Sequence, residues 1–314
     1  MSRFRSPRYP VHERRVGRRG RPTAATLGGV PEANDPNPQN VQTRKLIIGA
    51  VIALLVIVVV ATIALTGGGD EPKSTPRAAA PADAVVPAGP VPPGLQTVVY
   101  DKFQTGWQAD PDPMKTTGIT FGVHPLKPVA MYDKVGGKAR QMAAPTIATN
   151  VDLVMPVVEQ KPGWFGVLVP SANRSIAWLP DANLERRPLN DHILVYRKQH
   201  KLVWLKNDKP QREWEVTLGA SQSPTPLGRS YVLGRSALVG SVYAGTDVLA
   251  LSSIPDDPNS VPTGLRGAHT GIHTWHSDEN LGKNVSDGCI RLTKSGQQLL
   301  LRELEPGTPV TVLD

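Results

Sequence analysis

Hydrophobic and polar positions divide the chain into one unbroken apolar run followed by two stretches of short, alternating runs. Leu46 to Thr66 holds 21 residues without a charge, enough for a helix to cross the roughly 30 Å hydrocarbon core of a bilayer. The run lacks the polar residues at a 3.6-residue period that a soluble core helix would carry. It is also longer than the apolar part of a cleaved signal peptide. The pattern predicts an uncleaved, single membrane-spanning helix over residues 46–66.

Charge orients this predicted helix. Residues 1–45 contain ten Arg or Lys residues and three acidic ones, a net charge of +7 out of +8 for the whole chain. The positive-inside rule therefore predicts a cytoplasmic tail and an extracytoplasmic C-terminal bulk. Because the remainder is almost neutral, we expect no nucleic-acid partner. The tail is read as a disordered topology signal or as a segment that contacts anionic lipid.

Residues 67–94 form the next segment, rich in Pro, Ala and Gly and without an aromatic residue. Such a composition buries too little apolar surface to fold. We expect a linker that reaches at most roughly 90 Å, at ~3.1 Å per residue for a polyproline-like chain.

Residues 95–184 read as a small β domain of short runs separated by Gly, Pro and Asn turns. The clearest predicted strands are Val129–Tyr132, Trp164–Val169 and Ile176–Leu179. The Gly-Trp pair at the start of one strand and the later Ala-Trp-Leu-Pro run resemble bacterial SH3-like modules. An unrelated small β-barrel is the alternative. Trp164 and Trp178 are expected in the core rather than on a glycan.

Residues 185–314 predict a second domain that is mostly β with one short helix. Ile193–Tyr196 and Leu202–Leu205 flank a polar turn and read as a hairpin. A third strand is expected to follow Asn207-Asp208, around Trp214–Leu218. Thr293 is placed to cap a helix with an apolar stripe. The remaining expected features are a strand at Tyr231–Leu233, stripe residues Leu300, Leu301 and Leu304, and a last strand at Val310–Leu313.

The chain has a single cysteine, Cys289, within the run Ser286–Leu292. A lone cysteine closes no intrachain disulfide, so its value lies in packing, in pairing with another chain, or in thiol chemistry. Its neighbours favour chemistry: Gly288 permits close backbone approach, Arg291 supplies a cation, and His273 is a candidate base. These residues meet only if a strand carrying His273 lies beside the segment carrying Cys289. The polar residues 277–285 are suited to form the loop that connects the two segments.

A cysteine nucleophile needs its thiol deprotonated, because a free thiol with a pKa of about 8.5 is mostly protonated at neutral pH. Backbone N–H groups of the turn Asp287–Cys289 are candidate oxyanion donors. His276 is a second candidate base, but in an extended segment it faces away from His273. The set is short of the three or four ligands that zinc prefers, so we predict neither a metal nor a cofactor. Residues 239–266, with Tyr243, are predicted to form a loop that either covers the site around Cys289 or lies on the surface.

The order of His before Cys differs from that of papain-like enzymes. Ile-His-Thr followed by Ser-x-Gly-Cys-Ile-Arg-Leu resembles the YkuD-type L,D-transpeptidases, as do the Thr225–Gly228 turn and the strand after Gly307. The resemblance implies the following roles: Cys289 as nucleophile; His273 as base; Gly288, Asp287, Ser286 and Thr274 as oxyanion or loop support; Arg291 and Tyr243 as substrate contacts. The family commonly has His where this chain has Asp287, and a carboxylate beside a thiol opposes thiolate formation.

The predicted span over residues 46–66 and the basic tail, taken together with this resemblance, predict a membrane-anchored enzyme on the cell wall side of the membrane. Such an enzyme cross-links or remodels peptidoglycan stem peptides through a Cys289 thioester. Water as acceptor would give an L,D-carboxypeptidase, and carbapenem-type β-lactams are the expected inhibitors. The alternative is a non-catalytic wall-binding protein with a degenerate domain. A sortase-like reaction is disfavoured, because Arg291 follows Cys289 almost at once whereas sortases carry that arginine on a separate strand.

Overall fold

The computed structural model describes residues 84–100, 102–147, 150–237 and 243–314. The predicted cytoplasmic tail, the predicted span over residues 46–66 and most of the predicted linker lie outside these residues. In the part that is described, no helix is long and apolar enough to cross a membrane.

A first module, residues 84–188, carries an antiparallel sheet with the described strand order β4-β3-β7-β6-β5-β2-β8, and β1 pairs with β7. Its strands are β1 (Gln108–Ala109), β2 (Phe121–Pro125), β3 (Val129–Tyr132), β4 (Ala139–Ala143), β5 (Met155–Lys161), β6 (Trp164–Leu168), β7 (Ser175–Pro180) and β8 (Leu184–Pro188). The three expected runs fall on β3, β6 and β7. Trp164 and Trp178 are buried in the core, as expected. The SH3-like assignment stays a prediction.

The C-terminal domain, residues 191–314, contains a second sheet in the described order β11-β10-β9-β18-β13-β14-β15-β17. Its strands are β9 (Asp191–Tyr196), β10 (Lys201–Lys206), β11 (Lys209–Glu215), β13 (Gly228–Ser236), β14 (Val248–Leu251), β15 (Gly271–His273), β17 (Ile290–Arg291) and β18 (Pro309–Leu313). Two short strands, β12 (Leu218–Gly219) and β16 (Asn284–Ser286), pair in parallel beside it. The helix α1 spans Lys294–Glu303, and 3-10 turns occupy Pro258–Ser260 and Thr263–Leu265. The prediction of a mostly β domain with one short helix is confirmed.

The helix α1 begins where the sequence predicted. The Thr293 side chain accepts a hydrogen bond from the Gly296 N–H, which satisfies one of the otherwise unpaired amides of the first turn. Leu300 and Leu304 are buried in the core of the C-terminal domain. The amphipathic stripe therefore holds the helix against the sheet.

Two expectations about strands were wrong in their placement. The third strand follows Asn207 and Asp208 as expected, but it spans Lys209–Glu215 rather than Trp214–Leu218, because those two residues adopt positive φ angles and close a two-residue hairpin. Residues 239–266 are not wholly a loop, since Val248–Leu251 forms β14. Leu249 is fully buried and pairs with Ile272 of β15, so core packing outweighs the turn-rich surroundings.

The two sheets share a core and a polar interface. Tyr231 and Leu233 of β13 are buried in the core cluster of the first module. The Arg229 guanidinium makes a buried, two-point ion pair with Asp110, with an Nε–Oδ2 distance of 2.9 Å. The Asn173 amide donates to the Ile254 carbonyl at 2.6 Å and its oxygen accepts from the Ile254 N–H at 3.1 Å. The first module is therefore packed onto the C-terminal domain by specific contacts.

Candidate active site

Parallel pairing of β15 with β17 brings His273 and the Cys289 segment together. Ile272 is opposite Ile290 and His273 is opposite Arg291. Because side chains alternate along a strand, the two isoleucines point into the core, where both are fully buried. His273, Arg291 and Cys289, which immediately precedes β17, lie on the other face. The strand arrangement expected from the sequence is present.

These three side chains line one cavity of about 150 Å³. Tyr243, Trp275 and Asp287 also line it, together with a wall from the segment before β15. That wall consists of Pro255, Val261, Leu265, Ala268, His269 and Thr270. The nucleophile and base candidates therefore face a shared, partly apolar space rather than separate surfaces.

The ring of His273 is held by its own neighbour. Its Nδ1 lies 2.6 Å from the Thr274 carbonyl oxygen, and since a carbonyl only accepts, Nδ1 carries the proton. The neutral ring then leaves Nε2 unprotonated and able to accept a proton. Burial, opposed by the Thr274 carbonyl and helped by the charge of Arg291, lowers the pKa of His273 to about 4. At neutral pH this histidine is an uncharged base.

Cys289 is a free, half-buried cysteine. Burial raises the pKa of its thiol, and the Asp287 carboxylate adds to that rise. A backbone hydrogen bond from Gly271 and the cation of Arg291 act in the opposite direction. The net direction is upward, so the resting pair is a neutral thiol beside a neutral imidazole.

The turn before Cys289 is tied by the Ser286 hydroxyl, which is buried. This hydroxyl donates to the Cys289 carbonyl at 2.6 Å and accepts from the Gly288 N–H at 3.3 Å. Gly288 has a φ of 105°, a conformation that side chains with a Cβ rarely adopt. The Ser286 hydroxyl thus bridges two backbone groups of this turn, and its role as loop support stays a prediction. Its hydroxyl already engages the Gly288 N–H, whose role as an oxyanion donor stays a prediction.

The segment 219–225, which leads into the Thr225–Gly228 turn, also holds the backbone of Ser286. The Ala220 N–H donates to the Ser286 carbonyl at 2.8 Å, and the Ser223 hydroxyl donates to the same carbonyl at 3.4 Å. The Thr225 hydroxyl accepts from the Gly219 N–H at 3.0 Å, which fixes the turn itself. The nucleophile therefore sits on a braced backbone.

Aromatic rings surround the base and the cation. The Tyr243 ring packs edge-on against His273, with ring centroids 5.1 Å apart, and against Trp275 at 6.0 Å. The Arg291 guanidinium carbon lies 3.7 Å from the centroid of the Trp275 ring. Tyr243 and Arg291 thus reach the cavity to which the sequence assigned them.

Two other histidines of this region, His276 and His269, differ in their burial. His276 is exposed and packs only beside the Trp275 ring among the ring contacts described, at 5.5 Å. His269, which the sequence analysis did not select, lines the cavity and lies 3.5 Å from the Ser171 hydroxyl of the first module. Its even spacing from His273 was the available signal, because such spacing places both side chains on one face of an extended segment.

Within the described ranges, no group of three or more His, Cys, Asp or Glu side chains is placed to hold a metal ion. The Asp287 side chain is exposed at the cavity. Among the described residues it forms no ion pair with Arg291.

Comparison with known proteins relates the C-terminal domain to one family. Residues 190–312 match the family model of YkuD, the L,D-transpeptidase catalytic domain. This confirms the predicted resemblance over those residues.

Two Bacillus subtilis (strain 168) proteins, both named as candidate L,D-transpeptidases, are similar to it. YqjB is 26% identical over 133 residues, which cover 40% of this chain and 73% of YqjB. YkuD is 27% identical over 121 residues, covering 38% of this chain and 65% of YkuD. Among solved structures, L,D-transpeptidase 3 from Mycobacterium tuberculosis, in complex with a faropenem-derived adduct, is 16% identical. That match covers 45% of this chain and 74% of the other, with a TM-score of 0.34.

Proposed function

We propose that this protein is an L,D-transpeptidase that cross-links or remodels peptidoglycan stem peptides through an acyl-enzyme on Cys289. The observation that carries the proposal is the pairing of β15 with β17, which sets His273 and Cys289 on one face of one cavity. The match of residues 190–312 to the L,D-transpeptidase catalytic domain supplies the reaction class.

In the proposed first half-reaction, the sulfur of Cys289 attacks the carbonyl carbon of an amide that joins an L-centre to a D-residue. Nε2 of His273 accepts the thiol proton as the carbon–sulfur bond forms. The tetrahedral oxyanion collapses, the carbon–nitrogen bond breaks, and His273 returns the proton to the leaving amine. The terminal D-residue departs and a thioester remains.

In the second half-reaction, the amine of another stem attacks the thioester. His273 removes a proton from the amine and delivers it to the departing sulfur, which regenerates the thiol and leaves a cross-link. Water in place of the amine yields a free carboxylate, so an L,D-carboxypeptidase side reaction is part of the proposal.

The resting protonation states shape this mechanism. Since burial raises the pKa of Cys289 and lowers that of His273 to about 4, a preformed thiolate–imidazolium pair is disfavoured. Proton transfer therefore accompanies attack on the bound carbonyl. The nearby Arg291 charge and the Gly271 hydrogen bond, both of which favour negative charge on sulfur, ease that step.

The location of the enzyme is part of the proposal. The charge-free run over residues 46–66 and the basic residues 1–45 support a single-pass anchor with a cytoplasmic N-terminus. The first module and the C-terminal domain would then act on the cell wall side of the membrane. The family resemblance also implies that carbapenem-type β-lactams acylate Cys289.

Intact-mass measurement of the full-length protein after incubation with imipenem tests the proposal. We expect one covalent adduct on the natural protein and none on Cys289→Ala. A Ser221→Ala variant, altered at an exposed hydroxyl near the braced turn, should react like the natural protein. The natural protein remaining unmodified while it binds purified peptidoglycan would instead favour the non-catalytic wall-binding alternative.

A further inference from the structure

Arg291 has surroundings that point to a ligand. Its guanidinium carbon lies 3.7 Å from the Trp275 ring centroid, so the ring covers one face of the planar cation. Such stacking fixes the plane of the group and leaves its edges for in-plane hydrogen bonds. Arg291 lines the same cavity as Cys289.

One edge of that guanidinium is unsatisfied. The Nε atom of Arg291 is buried and has no hydrogen-bond partner among the residues that the structure describes. Within the same ranges no carboxylate forms an ion pair with Arg291. Leaving a buried donor of a charged group unpaired is costly, and the cost is recovered if a ligand supplies the acceptor. The Nε–Nη edge matches a carboxylate in a two-point arrangement.

The position of this edge relative to the nucleophile identifies the carboxylate. Cys289 and Arg291 are two residues apart on one face, which corresponds to roughly 6.6 Å between their Cα atoms in an extended strand. In the proposed reaction the carboxylate nearest the scissile carbonyl is the terminal one of the leaving D-residue, about one residue away. The arginine side chain is long enough to reach from the backbone of Arg291 to that carboxylate.

We propose that Arg291 binds the terminal carboxylate of the leaving D-residue through its Nε–Nη edge, and that Trp275 is the positioning residue that sets the plane of the guanidinium. This inference rests on the proposed acyl transfer at Cys289. Trp275 touches no reacting atom and acts through Arg291. The subsite selects donors whose leaving residue carries a free carboxylate.

A purely electrostatic role for Arg291 makes a different prediction. Its charge favours the thiolate of Cys289, and such an effect is the same for every donor. A carboxylate-binding role instead discriminates between donors that differ only in their terminal group. The two roles are distinguished by measuring, in each variant, the ratio of kcat/KM for two donors that differ only in this group.

The test uses the full-length protein and two tetrapeptide donors that are identical except for a terminal carboxylate or carboxamide. Release of the D-residue or its amide is followed by mass spectrometry. The natural protein should prefer the carboxylate donor in kcat/KM by roughly 10-fold or more, as expected for a two-point, charge-assisted contact. Arg291→Gln should bring the ratio close to one.

Trp275→Ala should lower the same ratio mainly through a higher KM for the carboxylate donor, and Trp275→Phe should restore most of it because a ring face is retained. Lys294→Gln is the matched control, since Lys294 is an exposed cation outside the residues that line the cavity. It should keep the natural ratio. Because both donors are compared on the same sample, a lower folded fraction in a variant reduces both rates equally and leaves the ratio of kcat/KM unchanged.

Equal use of both donors by the natural protein would overturn the inference, as would an undiminished ratio in Arg291→Gln. Equal slowing of both donors in that variant would assign Arg291 to the electrostatic role. Acylation by imipenem but by neither peptide would also overturn the subsite while leaving the nucleophile in place. Failure of imipenem and both peptides to acylate Cys289 would overturn the proposed function itself.

Discussion

The buried ion pair between Asp110 and Arg229 joins the first module to the C-terminal domain, and its removal should destabilise both together. The two side chains are 0% and 4% exposed, and the guanidinium contacts both carboxylate oxygens. Replacing Asp110 with Ala leaves a buried cation without its partner. Breaking a buried pair in this way costs about 3–5 kcal/mol, a large share of the roughly 5–15 kcal/mol that stabilises a typical domain.

The size of the loss can be checked against two matched variants. Asp110→Ala combined with Arg229→Met removes the unpaired charge, so it should recover at least about 2 kcal/mol relative to Asp110→Ala alone. Asp152 forms a 2.7 Å ion pair with Arg187 that is 33–45% exposed. Asp152→Ala should therefore cost under about 1 kcal/mol.

Urea unfolding of the full-length protein in detergent, followed by tryptophan fluorescence, measures these differences. Because Tyr231 and Leu233 belong to the core of the first module, we expect one cooperative transition that moves as a whole. A loss below about 1 kcal/mol in Asp110→Ala would show that this ion pair does not hold the two parts together. So would two separate transitions of which only one shifts.

Acid should weaken folding, because burial lowers the pKa of His192 to about 4 while the unfolded chain binds this proton from about pH 6.5. The free energy of unfolding should fall by roughly 1.4 kcal/mol per pH unit between those values for this group. His192→Gln should reduce that slope in urea titrations, and an unchanged slope would contradict the assignment. The rate of Cys289 acylation should fall on acidification with a midpoint near pH 4, the pKa of His273; a midpoint near 6.5 would show that the base is not buried. Ser286→Ala should slow acylation by about tenfold or more, because its hydroxyl ties both the Gly288 N–H and the Cys289 carbonyl, and an unchanged rate would remove it from the loop support. Asp287→His removes a charge that raises the pKa of Cys289 and should speed acylation by less than about tenfold, whereas a gain of several hundredfold would mean that the natural protein is impaired.

Local sequence signals predicted much of the C-terminal domain. Thr293 and the leucines after it carry the helix cap and stripe within a few residues of each other, so no long-range contact is needed to find them. The polar return between His273 and Cys289 likewise implied neighbouring strands. Patterns of this kind are visible because their physical cause lies within one short segment.

Features that depend on packing between distant segments were not predicted. The strand β14 is held by burial of Leu249 against Ile272, and neither segment indicates the other. Tyr231 and Leu233 alternate like any strand, so nothing marked them as part of the core of the first module. The stacking of Trp275 on Arg291 joins residues 16 positions apart, and no periodicity links them.

In the proposed reaction His273, and not His276, deprotonates Cys289. The most direct measurement is the rate of Cys289 acylation by imipenem in His273→Ala and in His276→Ala, read by intact mass with matched melting temperatures. We expect a loss of roughly 100-fold or more for the first variant and a nearly unchanged rate for the second, whose ring is exposed. Comparable losses in both variants, or no loss in His273→Ala, would contradict this role of His273.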